Sequence, residues 1–85
     1  MSLLRLPRVM ELTGRSRTRI YVDIANGLMV QLVRLGPRAS GIPSGELDAI
    51  LAAKTGGASD EQIRALVRSL HERRADAAAK ALAGV

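Results

Sequence analysis

Two short apolar segments meet at Thr13-Gly14-Arg15-Ser16, and the chain cannot pass through that junction as one helix. Leu6-Pro7 opens the first segment, where proline suits the first helical turn because its missing N–H has no helical partner to lose. Val9, Met10 and Leu12 give it an apolar face, and Thr13-Gly14 stops it. Ser16 is a helix-capping residue for a second segment from Arg17 to about Asn26, with Gly27 as its left-handed terminator. Two short helices joined by about three residues that include glycine have helix-turn-helix geometry.

The period changes after Leu28. Val33 and Leu35 alternate with Arg34, Gly36-Pro37-Arg38 makes a turn, and Ala39–Ile42 returns, which predicts a two-stranded hairpin. Pro43-Ser44 starts a third helix with Leu47, Ile50 and Leu51 on one face, ending near Lys54. Thr55-Gly56-Gly57 reads as a flexible joint. Ser59 followed by Gln62 is a capping box for a longer helix with Ile63, Leu66, Val67 and Leu70 on its apolar stripe, fraying in the Ala-rich stretch after Ala75. The expected fold class is therefore mainly α with a small β-hairpin wing: a winged helix-turn-helix over residues 1–54, a hinge at 55–58, and a C-terminal helix over 59–85. No internal repeat is visible. The terminal helix either covers the small domain's core, pairs with another chain, or does both.

Composition sharpens this picture. Tyr21 is the only aromatic residue, so an aliphatic core must serve a chain of 85 residues, a size at which burial is modest and a partner chain is often needed. With no cysteine there is neither a disulfide nor a thiolate metal site. Met1–Leu6 is too short for a signal peptide, and no apolar run approaches the roughly 20 residues that cross a bilayer. The expectation is a soluble, cytoplasmic, nucleoid-associated protein with no membrane partner. Its net charge of +5 is unevenly placed: seven arginines face two acids in residues 1–45, whereas six basic residues face six acids in 46–85. A one-sided basic field suits a polyanion partner, although a solvated surface would carry similar charge.

The second helix orders its residues by direction. Ile20 and Ile24 form the inward stripe, while Thr18, Val22 and Arg19 point away and Arg17 lies in the first turn. A first turn offering Arg, Thr and Arg suits a major groove: arginine reaches guanine O6 and N7, and Thr or Val touches a thymine methyl. The amides at that helix end also favour phosphate. Competing readings exist. Arg19 and Asp23 are four apart and can form a surface ion pair. Tyr21 borders the buried stripe, so it is either core or a phosphate contact. Arg15 reads as a solvated loop charge. Arg38, at the hairpin tip, is either a minor-groove or phosphate contact or an ordinary turn residue. Arg5 and Arg8 flank the start of the first helix, where an unspecific contact with a nucleic-acid backbone is plausible.

Catalysis is not expected. His71 is the only histidine, with no second ligand beside it for zinc, and Ser16, Ser40, Ser44, Ser59 and Ser69 have no His–Asp constellation. Gly36 and Gly41 match no phosphate loop. No cofactor, metal or small-molecule substrate is expected.

The stretches "LLRLPRVMELTGRSRTRIY", "NGL", "VRLGPRA" and "SGELDAILAAK" resemble the AlpA-type regulators of prophages and integrative elements, across residues 3–54. The resemblance implies a winged helix-turn-helix related to MerR-type domains and excisionases, binding double-stranded DNA through the helix beginning at Ser16 with help from the wing around Arg38. The candidate contacts are Ser16, Arg17, Thr18, Arg19, Tyr21, Val22, Arg34 and Arg38. It implies either transcriptional regulation of a mobile element or service as a recombination directionality factor that bends attachment-site DNA and steers an integrase. Self-association on DNA, and an integrase or RNA polymerase as further partner, belong to the same expectation. A protein-interaction adaptor is the reading from another class. The chain departs from the family pattern at Val22, where a basic residue is usual, and at Arg15, where an apolar one often stands. Prolines usual near Val30 and Leu32 and an aromatic usual at Ile42 are also missing.

Overall fold

The computed structural model describes residues 2–84. In chain order it contains β1 (Leu3–Leu4), α1 (Leu6–Thr13), α2 (Arg17–Ala25), β2 (Val33–Gly36), β3 (Ala39–Pro43), α3 (Ser44–Thr55) and α4 (Asp60–Ala83). This is a winged helix-turn-helix with one long helix added. The start of α1 carries Pro7 in its first turn, and its end closes on Gly14 at φ 69°, whose N–H donates to Met10 O at 2.9 Å. Two residues later Ser16 Oγ accepts from Arg19 N–H at 3.2 Å and starts α2. The turn is short because each helix end satisfies its own orphan groups.

The end of α2 is a Schellman cap: Leu28 N–H donates to Asp23 O at 2.8 Å and Gly27, at φ 75°, donates to Ile24 O at 3.2 Å. The same device ends α3, with Ala58 N–H on Ala53 O and Gly57 N–H on Lys54 O, both at 3.0 Å. Of residues 55–58, expected as a hinge, Thr55 ends α3 and 56–58 form a hydrogen-bonded turn that runs straight into the Ser59–Gln62 capping box of α4.

The wing is larger than the expected hairpin. β2 and β3 pair antiparallel with Arg34 opposite Ser40, but β1 adds to the free edge of β3, with Leu4 opposite Ile42, giving the order β1-β3-β2. Gly41 makes this possible, since a Cβ there would collide with the Leu4 carbonyl. A two-residue strand has no period to reveal it in sequence.

One aliphatic core joins these pieces. Val9 and Ile20 come from the two short helices, Met29 and Val30 from the segment before the wing, and Ile42 from β3. Leu47 and Ile50 of α3 face Ile63, Val67 and Leu70 of α4 within the same cluster. The first half of α4 is therefore part of the core, whereas its side chains from Ala75 onward are exposed.

Candidate nucleic-acid interface

The helix-turn-helix is fastened by a charge pair. Arg15 Nε donates to Asp23 Oδ2 at 2.6 Å, and its Nη2 donates to Asp23 Oδ1 at 3.0 Å. Asp23 is only 4% exposed, and a buried carboxylate needs such a partner because its desolvation is otherwise uncompensated. Two sequence-level readings are corrected by this fork. Arg15 is no solvated loop charge: it bridges the turn to α2. Arg19 makes no ion pair with Asp23, whose two oxygens instead accept from Arg15.

With Asp23 taken, the outer face of α2 keeps its positive charge. Ser16, Arg17, Thr18, Arg19, Tyr21 and Val22 are all exposed. Among the described residues neither Arg17 nor Arg19 makes an ion pair. Tyr21, placed at the edge of the apolar stripe by its sequence position, is 48% exposed and so is not a core residue. The other acid of the first half, Glu11, binds Arg8 at 2.9 Å on the exposed side of α1.

Arg34 and Arg38 are exposed on the wing and likewise form no ion pair among the described residues. A groove lined by Tyr21, Ile24, Gln31, Leu32 and Arg34 runs between α2 and β2, so the helix and the wing base share one surface. Arg38 stands farther out, at the turn. Its carbonyl accepts from Arg5 Nη1 at 3.0 Å, which ties the tip of the wing to the residue before α1. Arg5, expected only near the backbone of a partner, is thus a brace for the wing.

Sequence reading missed the residues that hold helix and wing in register. Gln31 lies between them, and α4 grips it from both sides. His71 Nε2 accepts from Gln31 N–H at 3.1 Å, while Arg74 Nη2 donates to Gln31 O at 3.0 Å. Arg74 is itself held by Glu46, with Nε 2.9 Å from Oε2. These contacts span 28 to 43 positions, and no local signal in one sequence points to them.

The resulting face presents guanidinium donors and hydroxyl groups around a helix start, a set that recognises anions and base edges. Among the described residues no three His, Cys, Asp or Glu side chains are placed to hold a metal. No described helix is long and apolar enough to cross a membrane.

Residues 2–55 match the family model described as Prophage CP4-57 regulatory protein (AlpA). The matched segment runs from β1 through α3 and leaves α4 outside. No curated protein and no solved structure matches the chain. With more than half of its length matched, over the same residues that build the helix-turn-helix and wing, the chain belongs to the AlpA family of prophage regulatory proteins.

Proposed function

We propose that this protein is a sequence-specific double-stranded DNA-binding regulator of a prophage or integrative element, acting by binding and not by catalysis. The observation that carries the reading is the exposed α2 face, where Arg17, Thr18 and Arg19 surround the helix start and neither arginine makes an ion pair among the described residues. Arg17 and Thr18 reach base edges in the major groove, and Val22 extends the apolar contact that a thymine methyl accepts. Arg19, Tyr21 and Arg34 meet phosphates, and Arg38 follows the backbone or minor groove beside the wing. The lone imidazole is engaged with the Gln31 backbone and Ser16 Oγ with a helix cap, which supports a non-catalytic role.

Sequencing the genomic fragments retained by the purified protein at physiological salt tests this. Fragments centred on promoters of a mobile element are expected; fragments centred on attachment sites would instead assign it to directing an integrase. Recovery of no preferred fragment would overturn the proposal. On a retained fragment, Arg17→Ala is expected to lose about 1–3 kcal/mol while random duplex binding changes little.

A further inference from the structure

We propose that α4, which lies beyond the family-matched segment, supplies an additional backbone contact to the same duplex through Arg68. This inference rests on the DNA-binding reading above. Three observations lead to it. First, the groove beside α2 does not end at the wing. Ile24 and Gln31, which line it together with Tyr21 and Arg34, also line a second groove that continues to Arg64, Arg68 and His71 of α4. Tyr21 and Arg34 thus border one groove and Arg68 the next, with Ile24 and Gln31 as their shared wall at the flank of the proposed reading helix.

Second, α4 is locked at this place. Arg64, one turn before Arg68, donates Nε–H to Asn26 O at 2.9 Å at the end of α2 and binds Glu61 at 2.6 Å. Its stem packs over Gly27, where a Cβ would lie 3.6 Å from the Arg64 Cγ. His71, one turn after, accepts from Gln31 N–H. Arg68 thus projects from a stretch of helix anchored on both sides.

Third, Arg68 is exposed and makes no ion pair among the described residues, although α4 carries several acids. A cation left without a partner beside these adjoining grooves is placed for a phosphate, since the strand flanking a helix in the major groove carries one at every step. Arg73 gives an internal control. It is also exposed and unpaired among the described residues, but it borders the separate apolar groove lined by Val33, Pro43 and Leu70.

The test measures binding of wild type, Arg68→Ala and Arg73→Ala to a retained genomic fragment and to a scrambled duplex, from about 50 to 200 mM salt. Arg68→Ala is expected to weaken both duplexes about equally, by roughly 5- to 10-fold near 0.1 M salt, and to flatten the log–log salt slope by about 0.9. Thermal unfolding should remain that of wild type, and Arg73→Ala should bind within about 2-fold of wild type. Unchanged affinity and slope for Arg68→Ala, or equal effects from the two variants, would overturn the inference while leaving the α2 reading intact. If wild type bound neither duplex, the DNA-binding reading itself would fall, and this inference with it.

Discussion

The arginines of the α2–wing face and those of the α3–α4 side do different work with the same side chain. On the first side Arg17, Arg19, Arg34 and Arg38 make no ion pair among the described residues; on the second, Arg64 and Arg74 are fixed by Glu61 and Glu46. What separates them is the placement of acids, not the number of arginines. Arg15 makes the point within one motif: by taking Asp23 for the turn, it leaves Arg19 as a free cation four residues away. The proposed recognition surface is shaped as much by where negative charge is absorbed as by where positive charge is supplied. The paired arginines, in turn, hold still the frame from which the unpaired ones project.

The strongest challenge to this division is removal of the α4 frame. Deleting residues from Gly57 onward strips Ile63, Val67 and Leu70 from the core, each of which contributes about 1.5–3 kcal/mol when buried. That total approaches the whole stability of a small domain, so the truncated chain is expected to lose its cooperative thermal transition by circular dichroism. A truncated chain melting like the full one would show that α4 is an accessory and that the frame lies elsewhere. Asp23→Ala comes next. It is expected to cost about 2 kcal/mol in urea unfolding, less than for a fully buried pair because Arg15 is one-third exposed. Arg19→Ala, without a partner to strand, should remain within about 0.5 kcal/mol of wild type. Equal losses from the two would erase the distinction between paired and unpaired arginines. The smallest effect belongs to Arg8→Ala: its partner Glu11 is on the exposed side of α1, and the change should stay below about 0.5 kcal/mol in the same assay.

Much of the fold was legible because its signals are local. Gly14, Ser16 and Gly27 mark helix ends by backbone chemistry acting over three or four residues, and Ser59 with Gln62 marks another. The alternation around Arg34 and the turn after Gly36 likewise placed the wing. The illegible parts are those made by distance along the chain. The strand at Leu3–Leu4 is too short to show alternation and exists through its pairing with β3. The Arg74–Glu46 fork and the His71–Gln31 bond join segments that a single sequence does not bring together. Charge counted by halves gave a neutral second half, but a count does not say which side chains pair: Arg64 and Arg74 bind Glu61 and Glu46, while Arg68 and Arg73 make no ion pair among the described residues. For the interface, periodicity oriented Thr18, Arg19 and Val22 correctly outward, but it could not decide whether Asp23 would bind Arg15 or Arg19. Tyr21 sat on the border of its stripe, and only packing placed it outside.

The most direct test of the central claim is to map amide and arginine side-chain NMR shifts of the full chain as a short DNA duplex is added at low salt. The account predicts perturbations concentrated from Ser16 to Val22 and from Arg34 to Arg38, with the Ala-rich end of α4 and Arg73 silent. Perturbations centred on the Val33–Leu70 groove or on the end of α4, with the α2 face unchanged, would contradict it.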